Sequence, residues 1–209
     1  RLVFDYIEYD DYDRDIKPFI LGIHTGVYPS TVVGSRIVRA RIDVGVAAGD
    51  SGLPNYNFQK ETLLDVSCEF GRVSPEYEGR NYTYAYIAAH SSKAASTSTL
   101  WDVLGKVNVI NGDCQLYTLG KEQVPSEPIF VPRADAGSEH DGYLLCLVYD
   151  GLRNITCLHV LDARELRDRG HVDGKPEEVP EKARVARIRL PNRLPVTFHR
   201  IWVPADQRA

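Results

Sequence analysis

Methionine is absent from the whole sequence, so a chain that opens on Arg1 is not a translation product retaining its initiator; the reading is a processed protein or part of a longer one. No apolar run approaches the roughly eighteen residues of a membrane-spanning helix, and no basic-then-apolar leader opens the chain. Excess positive charge is missing as well. The net charge of -4, with acids and bases interspersed, gives no basic footprint for nucleic acid. The four cysteines, Cys68, Cys114, Cys146 and Cys157, show no CxxC spacing, which argues against zinc-ribbon and thioredoxin-like sites. They read as buried free thiols in a reducing, cytoplasmic compartment, where the Asn81–Thr83 and Asn154–Thr156 matches to the glycosylation pattern are chance. Helical periodicity is scarce, and no linker of changed composition divides residues 1–209, which read as one unit.

What is present is ordinary for a globular protein, at 43% hydrophobic and 26% charged. Its pattern is period-two alternation. In "IVRARIDV" the residues Val38, Ala40, Ile42 and Val44 point one way while Arg39, Arg41 and Asp43 point the other. "YTYAYI" sets Tyr82, Tyr84 and Tyr86 against Thr83, Ala85 and Ile87, and "VARIRL" sets Ala186, Ile188 and Leu190 against Arg187 and Arg189. Each reads as a strand with one wet face. "GYLLCLVYDG" and "TCLHVLDA" are continuous apolar runs of strand length, expected where both faces are covered. Asn111-Gly112 between "LGKVNVI" and "DCQLYTLG" predicts a hairpin with a tight two-residue turn. The only helix expected is a turn or two near "DARELRD". His90–Leu100 and Arg169–Ala183 read as surface loops. The fold class is therefore all-β, built of many short antiparallel strands as a sandwich, a barrel or part of a propeller.

One carboxylate stands out. In "SEPIFVPR", Glu127 lies directly before a proline and an apolar strand, and an acid buried there needs a partner or gives up its charge. The alternative is an acid facing solvent at the strand entry.

Taken in order, "EPIFVPR", "EHDGYLLCLVYD", "LHVLDAREL" and "VARIRLPNRLPVTFH" resemble the C-terminal third of the carotenoid cleavage oxygenases, the group that includes lignostilbene-type dioxygenases. Upstream, "CEFGRVSPEYEGRNYTYAY" is similar to that family's glutamate-phenylalanine-proline segment, and "RLVFDYIEYDD" to the strand after its third metal histidine. The resemblance implies the C-terminal part of a seven-bladed β-propeller with iron(II) on its axis, held by four histidines whose outer nitrogens bond a shell of glutamates. By that resemblance His199, in "PVTFHRIW", is the fourth iron ligand, and Glu127 and Glu69 belong to the shell that orients such imidazoles. The bland alternatives are an ordinary histidine near the C-terminus and surface acids.

The remaining histidines are given no metal role. His24 lacks the residues that follow the family's third ligand, His159 reads as a satisfied strand histidine, His90 and His171 fall in polar loops, and His140 falls at a turn kept by Asp141 and Gly142. Two departures from the family pattern bear on the site. Gly71 replaces the proline after Glu69 and relaxes the backbone there. Arg200 replaces the glycine after the last ligand and calls for a carboxylate partner or an exit to solvent.

The implied function is a dioxygenase that splits a conjugated carbon-carbon double bond of a carotenoid, apocarotenoid or stilbene-like substrate with O2, without a catalytic acid-base pair in this chain. Phe130, Phe198 and Trp202 are candidates for a substrate tunnel, or merely pack the blades. Three of the four ligands have no counterpart, so the piece by itself is expected to be inactive and, with open flanks, to aggregate or form a loose stack of sheets. The resemblance leaves peripheral membrane contact and oligomeric state open. The alternative function is a truncated or decayed, non-catalytic β-domain that binds an apolar ligand or a protein partner.

Overall fold

The computed structural model describes residues 1–25, 34–43, 56–91, 100–167, 176–194 and 199–205. Its strands form three sheets. The first has the order β1 (Leu2–Tyr9), β2 (Ser35–Asp43), β3 (Asn57–Leu64), all antiparallel. On it the alternation read in "IVRARIDV" holds at Val38 to Arg41, while Ile42 is half-buried and Val44 lies outside the described residues. Val38 and Ala40 are buried, while Arg39 reaches across to Asp5 with two bonds of 2.8 Å and Arg41 pairs with Glu61. Cross-strand pairing of opposite charges lets a polar face stay ordered while the apolar face packs.

The second sheet contains β4 (Cys68–Arg72), β5 (Tyr84–Ala89), β6 (Val103–Asn108) and β7 (Cys114–Thr118), with the short β12 (Glu177–Glu178) parallel to β7. It lies in the middle of the stack. One of its faces joins Ile37 and Leu64 of the first sheet in a cluster with Ala85, Ile87 and Val107, and the other joins Tyr86, Leu104 and Tyr117 to the third sheet. That position overturns the wet face expected for "YTYAYI": Ile87, Ala88 and Ala89 are 0% exposed and Tyr86 is 1% exposed, because both faces of β5 are covered. Tight spacing is built in at Gly105, where a Cβ would lie 2.6 Å from Ile87 Cγ1.

The third sheet runs β13 (Arg184–Arg189), β11 (Ile155–Asp162), β10 (Gly142–Asp150), β8 (Gln123–Pro125), with β9 (Ile129–Pro132) pairing the start of β10. Its continuous apolar runs are not covered alike on both sides. Leu144, Cys146 and Val148 of β10 are buried, whereas Tyr143, Leu145, Leu147 and Tyr149 are half-buried. β13 is a largely exposed edge, with Val185 54% and Ile188 50% exposed.

Several expectations are corrected. The hairpin at Asn111-Gly112 forms, but its loop runs from Val109 to Gly112, because Asn108 and Asp113 still pair through a 2.8 Å bond. Gly112 takes φ +76°, which glycine adopts without a Cβ penalty. The helix lies elsewhere than expected. Of "DARELRD", Asp162 ends β11, residues 163–166 form only a turn and bend and Asp168 lies outside the described residues, whereas a π-helical turn at Tyr12–Ile16 leads into α1 (Lys17–Thr25). Its start is capped by Asp11, whose carboxylate accepts from Arg14 N at 2.8 Å. The short apolar run in "KPFILGIHT" carries too few turns for its period to show. The stretch read as a loop from Arg169 is outside the described residues up to 175, but its end holds β12 and places Val179 and Ala183 in the core. Residues 92–99 of the other predicted loop are outside the described residues, and its first residue, His90, is buried. All four cysteines are free and buried, as read from their spacing.

Candidate metal centre

Strand β4 sets the geometry through an irregularity. Glu69 pairs with Ala88 and Arg72 with Tyr86, so β4 advances three residues while β5 advances two. Such a β-bulge inserts one residue and breaks the period-two alternation along β4. Gly71 sits inside the bulge, but its backbone is not left-handed and a Cβ there would meet nothing within 4 Å, so the relaxation expected of glycine is not required. Glu69, half-buried, takes the Tyr9 hydroxyl as a hydrogen-bond donor. Burial and then the Glu69 charge push the Tyr9 hydroxyl well above the usual phenol range, so it stays a donor.

Glu127 follows β8 and precedes β9, on a short segment tied to the third sheet. Ser126 donates to the Leu147 carbonyl from its amide at 2.9 Å and from its hydroxyl at 2.6 Å. The Glu127 carboxylate is buried, and its Oε1 accepts from Arg72 Nε at 2.6 Å. Arg72 is a partner from another sheet, 55 positions away in sequence. The second oxygen, Oε2, is buried with no hydrogen-bond partner among the described residues. His199 Nδ1 lies 3.8 Å from it.

His199 itself is an exposed side chain at the end of this corner, with backbone φ +53°. The next residue turns inward. Arg200 Nη2 donates to Ser126 Oγ at 2.5 Å and to the Glu127 carbonyl at 2.6 Å. Neither outcome expected for this guanidinium occurs: it bonds neutral oxygens, and burial lowers its pKa against the opposing pull of Cys146 and Glu127. The structure thus brings two of the three predicted residues together, Glu127 and His199, and holds Glu69 separately through Tyr9.

A buried, half-satisfied carboxylate aimed at one imidazole nitrogen fits an orienting partner of a metal-binding histidine, because it favours a proton on Nδ1 and leaves Nε2 as the donor atom. This corner therefore suits one share of an iron site. Among the described residues no group of three or more His, Cys, Asp or Glu could hold a metal ion by itself.

Three other histidines, His159, His90 and His140, pack within the fold. His159 lies opposite Cys146 and Arg187 and is 3% exposed; burial, with Arg187 and Arg184, lowers its pKa to about 4. His90 packs beside Trp101 at 6.3 Å between ring centres, and burial lowers its pKa too. His140 meets the Tyr84 ring edge-on at 5.2 Å. His171 and the side chains of His24 and Phe198 lie outside the described residues. Of the tunnel candidates, Phe130 is core, stacked on Tyr86 at 5.5 Å. Trp202 lines a groove of about 750 Å³ with Val131, Tyr143, Leu145, Leu158 and Val160.

Sequence reasoning missed Arg72, Ser126 and Tyr9. The glycine between Glu69 and Arg72 was the available signal for a bulge, but the partner it would present was not readable from it.

The sequence profile of the retinal pigment epithelial membrane protein family (RPE65) matches residues 1–204. The chain is 31% identical over 145 residues to the apocarotenoid-15,15'-oxygenase of Synechocystis sp., covering 69% of this chain and 26% of that protein. It is 24% identical over 202 residues to the lignostilbene-alpha,beta-dioxygenase isozyme III of Sphingomonas paucimobilis, covering 93% of this chain and 37% of that protein. The crystal structure of cobalt-substituted Synechocystis ACO superposes with a TM-score of 0.69 at 24% identity, over 96% of this chain and 36% of that one. That likeness shows the fold: the stacked antiparallel sheets are part of a β-propeller. The chain thus spans between 26% and 37% of the length of these relatives.

Proposed function

Since the chain belongs to the retinal pigment epithelial membrane protein (RPE65) family, we propose that it forms the C-terminal portion of a non-haem iron(II) dioxygenase that cleaves a conjugated carbon-carbon double bond of a carotenoid, apocarotenoid or stilbene-like substrate. The observation that carries this reading is the pairing of Glu127 Oε2, buried and without a hydrogen bond, with His199 Nδ1 at 3.8 Å. His199 would offer Nε2 as one ligand, and Glu127 would hold the ring's orientation and tautomer. Glu69, fixed by Tyr9, is assigned the same orienting role toward another imidazole that the described residues do not include. An iron ion held by His199 and the further ligands would supply dioxygen activation for an overall reaction in which the C=C bond and O2 give two carbonyl products.

Residues 1–209 act in this reading as one undivided part of a seven-bladed ring, inactive until the remaining ligands join. The buried thiols suit a cytoplasmic setting, with any membrane contact peripheral. No helix among the described residues is long and apolar enough to cross a membrane.

The test is His199→Ala in the full-length protein, with iron content and cleavage of apocarotenoid and stilbene substrates measured together. Loss of both, in a variant whose metal-stripped form melts with metal-stripped wild type, is the expected result. Full iron content and rate in the variant would overturn the ligand assignment, and a full-length wild type that neither binds iron nor cleaves would leave the non-catalytic domain as the function.

A further inference from the structure

Consecutive residues of an extended strand point to opposite faces, so His199 and Arg200 should not both reach Glu127. They do. The Glu127 carboxylate lies 3.8 Å from His199 Nδ1, and its backbone carbonyl accepts from Arg200 Nη2 at 2.6 Å. The left-handed backbone at His199, φ +53°, breaks the alternation and turns both side chains to one segment. Histidine tolerates this conformation at a modest cost, which the surrounding contacts must offset.

The contacts that offset it converge on Arg200. Its guanidinium ties the chain to Ser126 Oγ at 2.5 Å as well as to the Glu127 carbonyl. Ser126 is itself anchored to β10 at Leu147, and its carbonyl accepts from Cys146 Sγ at 3.2 Å. Arg72 holds the far oxygen of the Glu127 carboxylate. The acid is therefore fixed by its side chain from β4 and by its backbone from Arg200, the residue adjoining the histidine that it faces.

We propose that Arg200 is a positioning residue for His199: by bonding Ser126 and the Glu127 carbonyl, it sets the imidazole against the Glu127 carboxylate before any metal arrives. The inference rests on the reading of His199 as a ligand. Both bonds leave one nitrogen, Nη2, whose donors are fixed in the guanidinium plane, whereas a lysine ammonium brings rotating donors on a flexible stem. With Arg200 cut back, the segment carrying His199 loses its tie to β10, and the ring samples orientations that do not present Nε2.

The test titrates metal-stripped full-length protein with Co(II), reading the dissociation constant and the ligand-field absorption bands, for wild type, Arg200→Ala, Arg200→Lys, Ser126→Ala and His199→Ala. Outer partners of metal ligands are worth about 10 to 100-fold in affinity. Arg200→Ala should weaken Co(II) binding about tenfold and move the absorption bands, with partial recovery in Arg200→Lys and a smaller loss in Ser126→Ala. If Arg200→Ala does not fold, the order of Arg200→Lys and Ser126→Ala between wild type and His199→Ala carries the test. Unchanged affinity and bands in every Arg200 and Ser126 variant that folds, with binding weakened by His199→Ala, would overturn the positioning role and leave the ligand reading intact. Unchanged binding in His199→Ala would overturn both.

Discussion

Replacing Arg72 with Met tests whether the ion pair across the two sheets holds Glu127 in its buried place. The Glu127 side chain is 3% exposed and that of Arg72 is 36% exposed, so the substitution strands a desolvated acid while releasing a cation that was partly wet. At 2.6 Å and an effective dielectric constant of about 20, the gross attraction is about 6 kcal/mol. Desolvation of the carboxylate offsets much of this. Breaking a fully buried pair costs about 3 to 5 kcal/mol, and screening on the exposed arginine side lowers the expected loss to about 2 kcal/mol. Glu127→Gln keeps an oxygen for Arg72 and leaves that guanidinium with access to water, so its expected loss is about 1 kcal/mol. Because both variants remove one interaction, the double variant should lose less than the sum, by about 1 kcal/mol. The assay is denaturant unfolding of the four metal-stripped full-length proteins, followed by tryptophan fluorescence. Losses that add to within about 0.5 kcal/mol would refute the pairing, since independent sites behave that way.

His159 provides a pH-dependent test. Its pKa is held down to about 4 by burial and by Arg187 and Arg184, against about 6.5 in an unfolded chain. Between those values the unfolded state binds more protons, so stability is fully present above about pH 6.5 and falls as the pH drops toward 4. His159→Gln should flatten that limb in a series of melting temperatures against pH, and an unchanged slope would show that other groups carry it. The 209-residue chain by itself exposes the β13 edge and, on β1, Leu2, Val3 and Phe4 at 52%, 50% and 41%. Size-exclusion chromatography with light scattering should find it self-associated, because unpaired apolar edges recruit other strands. A compact monomer at micromolar concentration would contradict this.

The strands were legible in the sequence because side-chain alternation has a fixed period, and β2 carries it without exception from Val38 to Asp43. Alternation does not say how many faces are covered. "YTYAYI" alternates like a strand with one wet face, yet β5 is buried on both sides because a sheet stacks on each. The helix at Lys17–Thr25 was missed for a related reason, since a run of that length fits either period.

For the candidate site, the sequence by itself determined that Glu127 would either face solvent or need a partner, since a carboxylate beside an apolar strand is costly to bury alone. The resemblance it carries pointed to His199 as the neighbour. Only the tertiary structure decided that Arg72 takes one Glu127 oxygen and that Arg200 turns inward to grip its carbonyl. The bulge in β4 and the left-handed backbone at His199 both break the period from which the sequence is read, and both bring together residues from different sheets or segments. Local pattern reports which way a side chain leaves its own strand, while the partner it meets is set by how the sheets stack.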